Sequence, residues 1–377
     1  MKTEMLNGKT ILITGSGGFI GKNLIWELRS KGYEDLRLFD LDTDPGLLDA
    51  YTKDCDFVFH LAGVNRPEKQ EEFMKGNFGF TDILLASLKK NKNTCPILIT
   101  SSIQAALDNP YGRSKKAGEE LLFSHARQTG STVYVFRLPN VFGKWCRPNY
   151  NSAVATFCHN IARDLPIMVN DPEAILNLVY IDDVLDAFLG ALQGDALRED
   201  GFCRVSTVYT VKLGRIVELL KEFKESRTNL SVPNMAKGFE KVLYSTYLSY
   251  LPENQFSYPL RMNTDNRGSF TEIIRTAERG QFSVNVSKPG ITKGNHWHHT
   301  KNEKFLVVSG KALIRFRRIG TGEVIDYHMS GEKLEVVDIP PGYTHTIINE
   351  GEGDLVTFMW ANEQYDPDRP DTIFEKV

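Results

Sequence analysis

The sequence KTILITGSGGFIG at residues 9–21 decides how the first half of this chain is expected to fold. A short apolar run leads into a glycine-rich segment, and the helical pattern of Phe19–Ser30 follows it without a gap. Short apolar runs favour a buried strand, and glycine permits the sharp turn that would connect such a strand to a helix. We therefore predict a strand over Lys9–Thr14 that turns directly into a helix.

The same alternation of short apolar runs and longer helical patterns continues through the first half. Strands that alternate with helices predict a parallel sheet covered by helices on both faces, which is a doubly wound, Rossmann-like α/β fold. Predicted strands lie at Leu36–Asp40, Asp56–Leu61, Ile97–Ser101 and Val133–Phe136, and predicted helices at Glu72–Lys89, Ser114–Ala126 and Lys212–Glu225.

The glycine spacing after the first strand predicts a dinucleotide site. Gly15 permits the tight turn, Gly18 lets a pyrophosphate approach the backbone, and Gly21 lets the helix pack closely on the strand. Asp40 ends the second strand, where a carboxylate would bind an adenosine ribose. The alternative is a solvated strand end, and Asp42 nearby keeps it open. A carboxylate disfavours a 2′-phosphate, but Arg37 and Arg66 are available, so the sequence leaves NADH and NADPH both open.

Ser102, Tyr111 and Lys115 form the candidate catalytic set. A spacing of four places Tyr111 and Lys115 on one helix face, and a nearby ammonium is expected to lower the pKa of the phenol. Such a tyrosine can protonate a ketone oxygen while hydride arrives at carbon, and Ser102 at a strand end can bind the same oxygen. The alternative is an unrelated surface pair on a helix.

Together these residues resemble the extended short-chain dehydrogenase/reductase family over residues 8–226. Further segments that carry the resemblance are HLAG at residues 60–63, RLPNVFG at 137–143 and NLVYIDDV at 177–184. The resemblance implies a nucleotide-sugar reductase in which Lys115 also contacts the cofactor. It implies further cofactor contacts at Phe19, Ile20, Leu61, Ala62 and Gly63, and substrate contacts at Asn140, Asn151 and Ser152. Loop capping is the alternative for both asparagines.

The second half has a different pattern. Residues 227–245 are polar with Pro233 and Gly238, which suggests a linker, and from Phe282 onward short strands are separated by glycine, proline and asparagine. These features predict an all-β sandwich or barrel. We expect a reductase domain over residues 1–245, including the linker, and a second domain over 246–377.

His296, His298, Glu303 and His345 form a candidate metal site. His296 and His298 alternate along a strand, so both point to one face, and three imidazoles with a carboxylate suit a divalent ion such as zinc. The spacing resembles both motifs of the cupin family, except that Leu334 stands where a glycine is expected. The alternative is a cupin that binds no ion.

Residues 265–270, DNRGSF, resemble a segment of the cupin-type epimerases that act on nucleotide-linked 4-keto-6-deoxy sugars. Those enzymes use a histidine base, and its expected place falls at His296–His298. If both histidines bind metal, the base is unassigned, and Lys288, His328 and Tyr343 are candidates that the sequence does not rank.

Over its whole length the chain resembles bifunctional enzymes of capsular polysaccharide synthesis, which join a reductase to a cupin. The resemblance implies a UDP-2-acetamido-2,6-dideoxy-hexos-4-ulose substrate, epimerised at C3 in the cupin and then reduced at C4. The expected product is UDP-N-acetyl-6-deoxy-L-talosamine, on the way to UDP-N-acetyl-L-fucosamine. Two alternatives stay open, namely a reductase with a structural, dimerising cupin, and a redox-sensing binding protein without turnover.

Composition excludes other classes of partner. A net charge of -3, from 45 basic and 48 acidic residues, gives no bulk attraction to nucleic acid or to an anionic membrane. The first seven residues carry no apolar stretch of signal-peptide type, and five cysteines without a CxxC pair fit a reduced cytoplasm. By analogy with sandwich cupins we expect a homodimer.

Overall fold

The structure, a computed structural model, describes residues 8–377 in two compact units. The first unit comprises the described residues up to Lys221 together with Met235–Pro252, and the second comprises Glu222–Asn234 and Glu253–Val377. The expectation about a signal peptide concerns residues 1–7, which lie outside the described part. Within residues 8–377 no helix is both long and apolar enough to cross a bilayer.

The first unit alternates strands and helices. Its strands are β1 (Ile11–Thr14), β2 (Leu36–Phe39), β3 (Phe57–His60), β4 (Ile97–Ser102), β5 (Val133–Leu138), β6 (Asn140–Phe142), β7 (Ile175–Tyr180), β8 (Arg198–Glu199), β9 (Phe202–Cys203) and β10 (Tyr209–Lys212). Its helices are α1 (Phe19–Ser30), α2 (Leu47–Asp54), α3 (Glu71–Phe73), α4 (Phe80–Lys90), α5 (Pro110–Thr129), α6 (Ala153–Ala162), α7 (Ile181–Leu192), the part of α8 (Leu213–Asn229) up to Lys221, and α9 (Gly238–Leu248). A π-helical segment, Met74–Gly79, joins α3 to α4.

A seven-stranded sheet in the order β2-β1-β3-β4-β5-β9-β8 organises the first unit. Its strands from β2 to β9 run parallel, and only β8 is antiparallel to its neighbour. Ile11 and Ile13 enter one buried apolar cluster and Leu12 enters another. Because side chains alternate along a strand, the two clusters lie on opposite faces of the sheet. The predicted doubly wound α/β fold is confirmed.

The second unit is antiparallel β structure. Its strands are β11 (Met262–Asp265), β12 (Gly268–Thr276), β13 (Gly280–Ser287), β14 (Thr292–Trp297), β15 (Glu303–Ser309), β16 (Lys311–Arg318), β17 (Val324–Ser330), β18 (Val336–Ile339), β19 (Tyr343–Asn349), β20 (Leu355–Ala361) and β21 (Ile373–Phe374). They form a six-stranded sheet, β11-β12-β13-β20-β15-β18, and a five-stranded sheet, β17-β16-β19-β14-β21. Apolar side chains from both sheets share one buried cluster, so the predicted all-β half is confirmed.

Two local predictions differ from the structure. The segment expected to be a linker at residues 227–245 contains the end of α8 and most of α9, because Leu243 and Tyr247 are buried and give α9 an apolar side. The predicted helix over Glu72–Lys89 is interrupted by the π-helical segment. The different helical period turns the side chains before α4 relative to those within α4.

Substitution of Phe188 tests how much the apolar core on one face of the parallel sheet stabilises the first unit. The fully buried Phe188 ring lies 5.0 Å from the Phe136 ring and 6.1 Å from the Phe59 ring, measured between centroids. Phe188→Ala is expected to lower the free energy of unfolding of the first unit by about 3–5 kcal/mol, because it leaves a cavity. Urea unfolding measures this. Ile83→Ala, at a residue that is 57% exposed, should stay within about 0.5 kcal/mol of the parent.

Candidate functional site

The glycine-rich turn after β1 brings backbone segments into direct contact. Gly15 has φ +71°, and a Cβ there would lie 2.6 Å from the backbone nitrogen of Ala62. A Cβ on Gly21 would lie 2.3 Å from the carbonyl oxygen of Gly15, so only glycine fits at either position. The Gly18 N–H donates to that same carbonyl at 3.1 Å and closes the turn.

The amino terminus of α1 faces out of this turn without a side-chain cap. Phe19 and Ile20, its first two residues, pack their side chains against the buried core of the sheet. An uncapped helix start offers free backbone N–H groups and a partial positive charge to a phosphate. The first turn of α1 is therefore suited to hold the pyrophosphate of a dinucleotide.

Asp40 lies beside the same turn. Its carboxylate accepts hydrogen bonds from the backbone N–H groups of Gly17 at 2.5 Å and Leu41 at 2.8 Å. Arg37, which the sequence left available for a 2′-phosphate, pairs instead with the carboxylate of Asp54. The Asp54 carboxylate raises the pKa of Arg37, so this pairing keeps the guanidinium charged.

Ser102, Tyr111 and Lys115 meet at the carboxyl end of β4. Ser102 is the last residue of β4, and Tyr111 lies in the first turn of α5, which Asn109 caps by accepting the Gly112 N–H at 2.7 Å. The ammonium nitrogen of Lys115 lies 6.0 Å from the centroid of the Tyr111 ring. The three predicted catalytic residues are thus brought together.

The pKa of Tyr111 moves opposite to the expectation from sequence. Burial of the phenol raises its pKa above the ordinary value of 10.0, and the contact with Ser102 lowers it by less. The expectation that the Lys115 ammonium lowers this pKa is therefore wrong for the structure, because desolvation of the phenol is the larger effect. Tyr111 is a neutral phenol at physiological pH and holds a proton that it can donate.

Lys115 is placed by buried groups around α5. Its ammonium donates to the carbonyl oxygen of Thr100 at 3.2 Å, and burial lowers its pKa to about 8 while Glu119 opposes that shift. Glu119, one turn further along α5, accepts hydrogen bonds from the Ser101 hydroxyl and from the Nε and Nη2 atoms of Arg137. Sequence reasoning missed this buried pair, since no spacing links Glu119 to Arg137.

The segment after β3 packs against the same lysine. Leu61 and Ala62 follow β3, and a Cβ on Gly63 would lie 2.9 Å from the Lys115 ammonium nitrogen. Buried Asn77, in the π-helical segment, bonds both backbone groups of Val64 and the Ser114 hydroxyl, each at 2.9 Å. The predicted cofactor segment at residues 61–63 therefore lies against α5, the helix that carries Tyr111 and Lys115.

Asn140, Asn151 and Ser152 occupy two places. Asn140 begins β6 two residues after Leu138, which pairs with Ser102 across the sheet. Asn140 therefore follows the strand end next to that of Ser102. Asn151 is exposed before α6, and Ser152 caps α6 by accepting the Ala155 N–H at 3.2 Å. Ser152 thus has a structural task in addition to any contact with substrate.

The second unit gathers the four predicted metal ligands. One ligand atom from each of His296, His298, Glu303 and His345 lies within 4.8 Å of the others. His296 pairs in register with His345 between β14 and β19, next to a bulge at Gly294. Asn295 has φ +58° in this bulge, which turns the chain immediately before the first ligand.

Several ligand atoms are buried without a hydrogen-bond partner among the described residues: Nε2 of His298, Oε2 of Glu303, and both ring nitrogens of His345. The Glu303 Oε2 atom lies 3.5 Å from Nε2 of His298 and 3.5 Å from Nε2 of His345. Leaving such atoms unsatisfied is costly, and a divalent ion between them would remove the cost. The cluster therefore fits a metal such as zinc.

Charge in the cluster favours the ligand forms. Burial lowers the pKa of His296 to about 4, so its ring is neutral. Burial alone would raise the pKa of Glu303, but its contacts with His298, His345 and Lys301 hold that pKa well below the usual range. His299 is outside the cluster, with its ring 4.5 Å from the ring of Trp297.

A cavity of about 850 Å³ in the second unit reaches the cluster. The three candidate bases are not among its lining residues, because Lys288 pairs with Asp354 at 2.9 Å and His328 pairs with Glu350 at 3.1 Å, and because Tyr343 packs on the apolar cluster. Polar residues that do line it include Asp265, Arg267, Lys293, Lys301 and Tyr365, together with the ligands His296, Glu303 and His345.

Lys293 is a site residue that the sequence analysis missed. It lies three residues before His296, and its ammonium donates to Oδ1 of Asn285 at 2.7 Å and to the carbonyl oxygen of Val286 at 3.0 Å. An ammonium has three N–H donors, so one is left for a ligand in the cavity. Only its position, directly before Gly294 and three residues before His296, could have indicated from the sequence that Lys293 belongs to this site.

Two family models match the chain. The model described as the NAD dependent epimerase/dehydratase family covers residues 11–201. The model described as the polysaccharide biosynthesis C-terminal domain covers residues 263–373. Each match falls within the half of the chain for which the sequence predicted a separate site.

Similar proteins match the chain over nearly all of its length. The UDP-2-acetamido-2,6-beta-L-arabino-hexul-4-ose reductase of Pseudomonas aeruginosa is 48% identical over 96% of this chain and 97% of that protein. The crystal structure of the capsular polysaccharide assembling protein CapF from Staphylococcus aureus has a TM-score of 0.93 at 53% identity, over 97% of this chain and 99% of that one. CapF with the inhibitor 3-isopropenyl-tropolone gives a TM-score of 0.89 at 50% identity, with the same coverage.

Proposed function

This chain belongs to the NAD dependent epimerase/dehydratase family, and from that premise we propose that it is a bifunctional enzyme of nucleotide-sugar synthesis. Its second unit would epimerise C3 of UDP-2-acetamido-2,6-dideoxy-hexos-4-ulose, and its first unit would then reduce the C4 ketone with NADH or NADPH. The product would be UDP-N-acetyl-6-deoxy-L-talosamine, towards UDP-N-acetyl-L-fucosamine for capsule or O-antigen.

The observation that carries the proposal is the presence of two separate constellations of polar side chains in one chain. Ser102, Tyr111 and Lys115 lie together at strand ends in the first unit. A cavity of about 850 Å³ in the second unit reaches a cluster of candidate metal ligands, and several of their atoms are buried without a hydrogen-bond partner among the described residues. A cavity of this size lies within the range that holds small-molecule ligands. The relative at 48% identity is named as a reductase of a UDP-linked 2-acetamido-hexul-4-ose, which supports the substrate class.

The first unit would carry out the reduction of the C4 ketone. Bound between the glycine turn and α5, the nicotinamide would supply hydride to C4. Tyr111, which burial keeps protonated, would donate its proton to the C4 oxygen, and Ser102 would donate a hydrogen bond to that oxygen. The positive charge of Lys115 would favour the phenolate that forms. Asn140 would contact the sugar nucleotide from the neighbouring strand end, with Asn151 and Ser152 nearer α6.

The epimerisation at C3 would take place in the cavity of the second unit. The C4 ketone makes the C3 hydrogen acidic, so a base can remove this proton and return it on the other face of the ring. A divalent ion, most simply Zn²⁺, held by His296, His298, Glu303 and His345, would polarise the ketone oxygen as a Lewis acid. The third N–H of Lys293 could donate to the same anionic oxygen.

The two reactions belong in one order. While the ketone is present, C3 can exchange its proton and both configurations can interconvert. Reduction at C4 removes the ketone, so C3 is no longer acidic and its new configuration is retained. In a chain that carries both activities, reduction therefore removes the epimerised ketone and shifts the epimerisation equilibrium toward it.

Three other expectations from the sequence stay predictions. They are the domain boundary between residues 245 and 246, the homodimer, and the cytoplasmic location.

Tyr111→Phe separates the two proposed sites. The variant should lose ketone reduction by roughly 10²–10⁴-fold, because it has no proton to donate, while proton exchange at C3 continues. Oxidation of the reduced nicotinamide measures the first activity, and NMR of the sugar measures the second. Tyr33→Phe, which removes a buried hydroxyl outside the constellation, should retain both. Loss of both activities in Tyr111→Phe would contradict separable sites.

Solvent exchange tests the epimerase directly. Incubation of the full chain with the keto sugar in deuterated water, without nicotinamide, should place deuterium at C3. Removal of metal by a chelator should slow this incorporation, and added Zn²⁺ should restore it. No incorporation by the metal-loaded protein would leave a reductase with a structural second unit.

The pH dependence of reduction should show the state of Lys115. Its pKa is lowered to about 8 by burial, so the ammonium is present below that pH and is lost above it. We expect kcat/KM for reduction to fall about tenfold per pH unit above about 8, because this quantity reports groups of the free enzyme. Steady-state rates across pH measure it, with Lys115→Arg as the variant that keeps its charge. A profile that stays level to about pH 10, the ordinary phenol pKa, would contradict this role.

A further inference from the structure

The carboxyl-terminal residues pair with β14, the strand that carries the first candidate metal ligand. In β21, Phe374 pairs with His296 and Ile373 pairs with Trp297, both on β14. The backbone N–H of Glu375 donates to the carbonyl oxygen of Asn295 at 2.9 Å. The bulge directly before His296 is therefore contacted by β21 and hydrogen-bonded to Glu375.

Asp371 holds the turn that follows β14. Its carboxylate accepts hydrogen bonds from the backbone N–H groups of His299 at 2.9 Å, Thr300 at 2.8 Å and Lys301 at 2.8 Å. The Thr300 hydroxyl donates to the same carboxylate at 3.1 Å. This turn connects His298 to Glu303, so one side chain fixes the segment between two ligands.

The backbone of Asp371 also selects the ligand atom of His298. The carbonyl oxygen of Asp371 lies in hydrogen-bond contact with Nδ1 of His298. A carbonyl can only accept, so Nδ1 carries the proton and Nε2 has the free lone pair. Nε2 is the atom that faces Glu303 and has no hydrogen-bond partner among the described residues. The contact therefore presents His298 in the form that binds a metal.

A third set of contacts reaches the strand of the last ligand. The Thr344 hydroxyl, next to His345 on β19, donates to the carbonyl oxygen of Glu375. The Glu375 carboxylate accepts from the Arg317 guanidinium at 2.9 Å. Residues 371–375, which we call the carboxyl-terminal clamp, thus contact the immediate neighbours of all three histidines.

We propose that the carboxyl-terminal clamp positions the ligands of the metal site, and that Asp371 is its main positioning residue. The proposal rests on the proposed function, in which the cluster binds a divalent ion. Groups that orient the ligands of a metal typically contribute 10–100-fold to its affinity. The clamp lies 73 residues after His298 in sequence, so no local motif joins the two.

The test measures Zn²⁺ affinity of the full chain after removal of metal, in competition with a chromophoric chelator. Asp371→Ala removes every carboxylate contact to the turn, and Asp371→Asn keeps the size but has only one acceptor oxygen. Both should bind Zn²⁺ roughly 10–100-fold more weakly than the parent, and the absorption of bound Co²⁺ should change with the ligand geometry. Asp368→Ala, at an exposed residue that precedes the clamp, is the matched control and should bind as the parent does.

The possible outcomes distinguish a failure of the clamp from a failure of the metal site. Parent-like Zn²⁺ affinity in folded Asp371→Ala, or in Asp371→Asn should the alanine variant not fold, overturns the clamp and leaves the metal site intact. A parent protein that binds no Zn²⁺ overturns the metal site and the clamp with it. A purely structural Asp371 would lower the thermal stability of the metal-free protein and leave Zn²⁺ affinity and the Co²⁺ spectrum unchanged, which also overturns the proposal.

Discussion

The first unit depends on the close approach of backbone segments at three glycines. A side chain on Gly15 would collide with the backbone at Ala62, and one on Gly21 would collide with the Gly15 carbonyl. A side chain on Gly63 would reach the Lys115 ammonium nitrogen. Because no Cβ is present at these positions, the ends of β1 and β3 and the helices α1 and α5 meet at one edge of the sheet. The glycine turn before α1 and Lys115 of α5 therefore both contact the segment at residues 61–63.

Burial sets the protonation states in both units, but with different consequences. In the first unit it keeps Tyr111 neutral and lowers the pKa of Lys115 to about 8, so that acid and cation coexist near neutral pH. In the second unit it keeps His296 neutral, while neighbouring groups keep Glu303 ionised. Neutral imidazoles and an anionic carboxylate are the forms that bind a divalent cation. Burial thus sets the protonation state of the candidate proton donor and of one candidate metal ligand, His296, whereas neighbouring groups set that of Glu303.

Most of the fold and much of the candidate site could be predicted from local patterns. Phe19–Ser30 is the helix that the sequence indicated. The fourth strand ends at Ser102 and the second at Phe39, directly before Asp40, close to where the apolar runs stop. Lys293, Asp371 and the pair of Glu119 with Arg137 could not be found in this way. Each acts through a partner on another element, and a single sequence carries no pattern for such contacts.

The sequence by itself determined the order of elements, the turn at residues 15–21 and the identity of the four candidate metal ligands, because these depend on spacing within a few residues. Only the tertiary structure decided the direction of the pKa shift of Tyr111, since desolvation depends on what packs around the phenol. It also decided which polar residues line the cavity and that the end of the chain holds His298. These properties arise from contacts between residues far apart in the chain, and spacing along a sequence cannot express them.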